Sequence, residues 1–306
     1  MTEEEKPFAT DYDGPWKEAL DFAPRLFLER FQPAITADIN WQENHEALDD
    51  ELRQMSTEDQ EGIRRVDRLL LFKTLAGDAL YLHMEVQCFY DPELGRRVMT
   101  YRHRLRARHT QPVITIVILG DDRRRWRPRK HREGKYGSFD SCEWLPIKLL
   151  DLRENITALE SDANVFALFV AAHLETMATR KDLVKRQEAK IRILSNLQTR
   201  QMDRADGARW YQLIDWLMKL PPEMNETVYQ RQREQGMKYV SYAEQKGIEK
   251  GMEQGRAQGE LLGQIRLCRE LLKQEPTPEA ELLAMPQEEL TALLGQLRKQ
   301  LLPNGD

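Results

Sequence analysis

The run from Ala79 to Gln87 constrains the fold more than any other stretch, because it alternates without a break. Ala79, Tyr81, His83, Glu85 and Gln87 fall on one face of a strand. Leu80, Leu82, Met84 and Val86 fall on the other, since successive side chains of a strand point to opposite sides. Val66 to Thr74 is also β-like, and Gly77-Asp78 is a turn signal, so the two runs predict a hairpin. Helical spacing surrounds it. Trp16 to Phe31 carries Leu20, Phe27, Leu28 and Phe31 at roughly helical intervals. Pro15 fits its first turn, Pro24 is placed to kink or split it, and Pro33 to end it. Asp38 to Gln60 reads as loop with a short helix. Leu94 to Arg108 reads as a basic helix, and Pro112 to Leu119 as a buried strand rich in β-branched residues. A polar, basic loop follows, then a strand near Phe139 to Leu145. This α-β-β-α-β-β order predicts an α/β core, a mixed sheet flanked by helices.

From Leu149 onward the pattern is helical, over Ala163 to Ala178, Lys181 to Leu197 and Ala208 to Leu220. Pro221-Pro222 is a break. Glu223 to Lys273 reads as one long helix, and two short helices follow Pro278 and Pro286. The expected organisation is an α/β domain over 10–150, a helical region over 151–222 that packs on it or extends it, and a helical tail over 223–306. Gly247, Gly251, Gly255, Gly259 and Gly263 recur every four residues in that tail. Each costs about 1 kcal/mol against Ala in a helix. The stripe reads either as a close-packing surface that makes a homo-oligomer or as a loose spacer.

Charge is unevenly placed. Residues 1–60 hold 16 Asp and Glu against 5 Lys and Arg, and residues 96–135 hold 14 Lys and Arg against 3 Asp and Glu. The basic stretch suits a polyanion; a solvated charged face is the plainer reading. Its carriers are Arg96, Arg97, Arg102, Arg104, Arg106 and Arg108 on the predicted helix, then Arg123, Arg124, Arg125, Arg127, Arg129 and Lys130. Trp126 among them could stack on a base. The acidic start, Met1-Thr-Glu-Glu-Glu-Lys, does not resemble a secretory signal. The three cysteines, Cys88, Cys142 and Cys268, form no Cys-x-x-Cys pair. No apolar run approaches the ~20 residues of a membrane span. The chain therefore reads as cytoplasmic, with no membrane partner.

The chemistry-bearing stretch is Asp67 on the first predicted strand, with Glu85 and Gln87 on the second. Two carboxylates brought together offer hard oxygen ligands for Mg²⁺ or Mn²⁺. Such a metal lowers the pKa of water and stabilises charge on a phosphate under attack. A three-residue loop, Ala76-Gly77-Asp78, puts Asp67 opposite Gln87 and near Glu85 on one face; a two-residue loop turns it away. The alternative is structural: Asp67 capping a strand, Glu85 and Gln87 exposed. His83 shares their face, as a supporting residue or an ordinary edge histidine. Glu18 on the first helix reads as a further acid of the site or as a solvated position.

Asp67, the run Leu82-His-Met-Glu85-Val-Gln87, Asp91-Pro, Arg97 with Tyr101, the strand Pro112 to Leu119 and the Gly-striped tail resemble the Rpn-type recombination-promoting nucleases and putative transposases. These belong to the PD-(D/E)XK nuclease superfamily. The resemblance covers roughly residues 10–150, and more weakly 240–263. It implies a restriction-endonuclease-like core followed by an all-helical C-terminal region, and Mg²⁺-dependent DNA cleavage. It assigns metal binding to Asp67 and Glu85 and a catalytic role to Gln87, where the wider superfamily has Lys. DNA contact is then expected from Arg97, Tyr101, Arg102, Arg123, Arg124 and Arg125, mostly to the backbone. The competing expectations are an inactive DNA-binding or oligomeric scaffold, and a helical interaction protein acting through its tail.

Overall fold

The computed structural model describes residues 11–48, 66–236, 261–269, 271, 272, 274, 282, 285 and 287–301, and the side chains of the second strand from Arg68 onward. Prolines set the first boundaries. Helix α1 (Asp13–Phe22) stops at Ala23, and α2 (Pro24–Phe31) restarts with proline in its first turn. Pro24 thus splits the predicted helix. Pro33 opens a third helix, α3 (Pro33–Asp38), where the sequence predicted only an end. Proline is tolerated there because its missing N–H would have no intrahelical partner.

Then follow β1 (Glu46–Ala47), β2 (Val66–Lys73), β3 (Ala79–Gln87), helix α4 (Leu94–Arg108), β4 (Val113–Leu119), β5 (Lys130–Lys135), β6 (Ser138–Glu143) and β7 (Leu145–Lys148). Five strands form one mixed sheet in the order β1-β2-β3-β4-β7, and β5 pairs with β6 alone. β2 and β3 are antiparallel; β3 with β4, and β4 with β7, are parallel. The stretch predicted as a basic loop therefore holds one strand of a hairpin, β5, and the strand expected near Phe139 to Leu145 divides into β6 and β7. The hairpin's signal, Tyr136-Gly137 between two short runs, was hidden by the polarity of the strands.

The β2–β3 connection is a three-residue loop, Leu75 to Gly77. Thr74 N–H donates to the Asp78 carbonyl at 2.9 Å, and Gly77 takes φ +87°. The loop sits one residue earlier than predicted, so Asp67 pairs with Glu85 rather than Gln87. A shift of two in register leaves every residue on its expected face.

The two faces of the sheet have different covers. Leu69, Tyr81 and Val113 form one buried cluster with Tyr101 and Leu105 of α4. Val117 and Leu119 form another with Leu94, Val98 and Met99 of α4 and with Cys142 and Trp144. On the opposite face Arg68 bonds to Asp21 of α1.

After a 3-10 turn over Leu149–Asn155 come α5 (Ile156–Ser161), α6 (Val165–Ala178), α7 (Leu183–Thr199), α8 (Arg204–Leu217) and α9 (Pro222–Glu234). α6 is apolar almost all round and nearly every residue is buried, as a central helix must be. Asn164 caps it by accepting from Phe166 N–H at 2.9 Å. Phe166 and Phe169 pack with Trp16 of α1, and Phe166 also meets Phe27 of α2 and Trp210 of α8. The helices thus share a core with the N-terminal segment. α9 ends at Glu234, and Gly236 follows with φ +76°. That left-handed stop interrupts the long helix expected from Glu223 to Lys273.

The chain divides into units of 1–239 and 240–306. The second contains a helix over 261–269 and a longer one, Gln287–Leu301, after Pro286. Leu262, Ile265, Cys268, Leu282, Leu290, Leu294 and Leu297 form its core. Gly247, Gly251, Gly255 and Gly259 lie outside the described residues. Among those described, no helix is long and apolar enough to cross a membrane.

Candidate active site

β3 is an interior strand, between β2 and β4, so the polar residues of its odd-numbered face lie beneath α4. Glu85 and His83 are fully buried. Asp67 sits directly opposite Glu85 in the β2–β3 ladder, and opposite residues of an antiparallel pair share a face. The sheet therefore brings positions 67 and 85 together, with Gln87 two residues along at the rim.

Burying a carboxylate requires a partner. Arg97, one turn into α4, supplies it: its guanidinium bonds to Glu85 and to Asp91, and donates to Gln87 Oε1 at 2.8 Å. Gln87 in turn donates through Nε2 to the Phe89 carbonyl at 2.8 Å. Glu85, Gln87, Asp91 and Arg97 are thus one connected network. Tyr101 lies one turn further along α4, buried, with its ring edge-on to His83 at 5.9 Å.

His83 and Thr115 stand out. They are neighbours across β3 and β4. Neither ring nitrogen of His83, nor the Thr115 hydroxyl, has a hydrogen-bond partner among the described residues. Burial pushes the His83 pKa down to about 4, with Arg97 adding to the fall and Glu85 opposing it. The imidazole is neutral at pH 7. It is not the edge histidine its polarity suggested, because β3 is not an edge.

Among the described residues no group of three or more His, Cys, Asp and Glu is placed to hold a metal ion. The oxygen donors at this face still suit a hard divalent cation in kind: the Glu85 carboxylate, the Asp67 position opposite it, and Asp91 on the same guanidinium. Arg97 is the competing cation for Glu85.

Of the expected DNA contacts, Arg97 and Tyr101 point inward and are buried. Arg102 is half-buried; it bonds to the Glu143 carbonyl and lies 3.6 Å from the Cys142 Sγ. Arg123, Arg124 and Arg125 are exposed, with the Arg123 guanidinium 4.0 Å from the centre of the Tyr90 ring. Trp126 is half-buried against the α4 cluster, edge-on to Tyr90 and beneath the Lys148 ammonium. Glu18 is exposed on α1, across the sheet from Glu85.

Sequence reading missed a second buried pair. Lys148 of β7 bonds to Asp121, both almost fully buried. The register runs Gln87, Leu119, Lys148 across three strands, so Lys148 shares the face of Gln87. Pairing β4 with β7 is what reveals it, and no local pattern encodes that pairing.

Fold and site together define a mixed α/β protein with a carboxylate–guanidinium network enclosed between its sheet and a basic helix. No protein family, curated protein or solved structure matches the chain.

Proposed function

We propose that the chain is a divalent-metal-dependent nuclease of the PD-(D/E)XK kind, hydrolysing phosphodiester bonds in DNA with Asp67, Glu85 and Gln87. One observation carries this reading: the register sets Asp67 opposite Glu85, with Gln87 on the same face. The exposed arginines 123 to 125 supply positive charge suited to the DNA backbone. In this reading Asp67 and Glu85 hold Mg²⁺ or Mn²⁺, which when bound supplies an acidified water and charge stabilisation. Gln87 is an amide and takes no proton at neutral pH. Its work is to orient, accepting from Arg97 through Oε1 and donating through Nε2. Arg97 holds the Glu85 carboxylate in place.

Supercoiled DNA tests the proposal. Nicking is expected with Mg²⁺ or Mn²⁺, none with EDTA, and a loss of at least about 100-fold in Glu85→Ala, given what one charge-stabilising group contributes. Equal nicking by wild type and Glu85→Ala would end it.

A second reading is a DNA-binding scaffold that keeps this architecture without cleavage. The Arg97–Glu85 ion pair favours it, since a guanidinium already neutralises the carboxylate. Salt-sensitive DNA binding with no metal-dependent nicking distinguishes it.

A further inference from the structure

The β5–β6 hairpin carries a feature that neither packing nor stability accounts for. Lys135 pairs with Ser138, so Tyr136 and Gly137 alone make the turn. Both have positive φ, 55° and 87°, which defines a type I′ turn. Asn, Asp or Gly normally fill the first of those positions, because a Cβ with a bulky ring is strained there. Tyr136 is the one non-glycine residue with positive φ among the described residues. Its relative exposure is 102%, so the ring gains nothing from burial in return. Strain held by a fully exposed aromatic points to use of that ring.

The rest of the hairpin fits one kind of user. Its base is fixed on α4. A Cβ at Gly95 would come within 2.9 Å of the His131 ring, and Arg102 bonds to the Glu143 carbonyl. Trp144 Nε1 donates to the Pro128 carbonyl at 2.9 Å. From that base the six residues of β5 project about 20 Å. By the pleat, His131, Glu133 and Lys135 share the face of Cys142 and Asp140, towards the helix. The other face carries Lys130, Arg132, Ser141, Phe139 and Glu143. There Phe139 is half exposed, and the Arg132 guanidinium lies 3.8 Å over its ring. The preceding segment adds Arg123, Arg124, Arg125 and Arg129, all exposed.

We propose that this hairpin is a nucleic-acid-binding arm, whose tip ring, Tyr136, stacks on an unpaired base while the surrounding Lys and Arg hold the phosphates. Exposed rings interleaved with cations suit single-stranded or distorted DNA, because every base offers a π-face and every linkage a charge. The hairpin itself balances Lys130, Arg132 and Lys135 against Glu133, Asp140 and Glu143; the excess of cations that favours a nucleic acid over a protein partner comes from the exposed Arg123, Arg124, Arg125 and Arg129 of the segment before it. The inference rests on the DNA-binding half of the proposed function and not on cleavage.

The test is fluorescence titration of the full chain in EDTA. One probe is a single-stranded oligonucleotide carrying 2-aminopurine, the other its fully paired duplex. Wild type is expected to quench the 2-aminopurine. Tyr136→Asn is expected to weaken single-strand binding about tenfold and duplex binding less than twofold, and Tyr136→Phe to stay within twofold on both. Asn accepts positive φ, so the melting midpoint of Tyr136→Asn should equal or exceed that of wild type, which excludes misfolding as the cause. Equal single-strand binding by Tyr136→Asn and wild type overturns the arm while leaving DNA binding in place. So does a fall in molecular mass by light scattering with DNA binding unchanged, which makes the tip a contact between copies. A wild type that binds neither probe at low salt overturns both readings. Tyr136-dependent binding without nicking upholds the arm and removes only the catalysis.

Discussion

His173 shows how one residue ties the two halves of the first unit together. It is fully buried in α6, accepts from Trp16 Nε1 at 3.0 Å through Nδ1, and lies 2.9 Å from the Gly120 carbonyl through Nε2. With Trp16 donating to one nitrogen, the other carries the proton and donates to the carbonyl. Burial drives its pKa down to about 4. The unfolded chain takes up a proton near pH 6.5 while the folded chain refuses it, so stability is full above that pH and falls as pH drops towards 4. The loss from this residue is at most about 3 kcal/mol. His83 adds a loss of the same sign. Gln at 173 can both accept and donate without ever charging. His173→Gln is therefore expected to cut the fall in urea-unfolding free energy between pH 7 and pH 5 by about half, with a cost of about 1 kcal/mol at pH 7. An undiminished pH slope would assign the acid sensitivity to other groups.

At the level of elements, α4 carries two environments on one helix. Arg97 and Tyr101 face the sheet, and Arg104, Arg106 and Arg108 face solvent. The segment after β4 continues the exposed charge. Replacing Arg123, Arg124 and Arg125 together with Ala should weaken binding to all DNA sequences alike. The slope of log K against log salt should fall by up to about 3, one ion per lost phosphate contact. A filter-binding salt series measures this; an unchanged slope moves the contact elsewhere. The helix over Leu94–Arg108 and the strand over Ala79–Gln87 were legible in the sequence to the residue, since apolar spacing states both. The sharing of a face by Asp67 and Glu85 was legible too, because it needs only the parity of a loop. Their network was not. The sequence singles out Arg97, but as an outward DNA contact, and only the packing of α4 on β3 turns it inward. A strand near Phe139 was legible, but its partner β5 was missed for the opposite reason: β5 and β6 bury almost nothing, so no apolar alternation marks the hairpin. The end of α9 needed Gly236, which the sequence shows only as one glycine among many.

At the scale of the molecule, the second unit closes its own leucine-rich core, while the first joins a helical core around α6 to one sheet whose central strand is β3. That strand takes its facing from the three residues Leu75 to Gly77, and its parallel partner β4 is aligned to it residue by residue from Tyr81 to Gln87. The turn itself is open: nothing lies within 4 Å of where a Gly77 Cβ would be. It has room for extra residues, but room is not the limiting condition. One added residue must either bulge locally or slide β2 so that its apolar and polar faces change places. Two added residues leave the facing intact. Single-glycine insertion after Ala76 should therefore lower the melting temperature well below that of the two-glycine insertion, although the longer loop costs more entropy. Equal melting by the two would show that a bulge absorbs the change. Seen as a rule for descent, this hairpin can gain or lose length only in steps of two, so gaps at Leu75–Gly77 between this chain and its kin should come in even numbers.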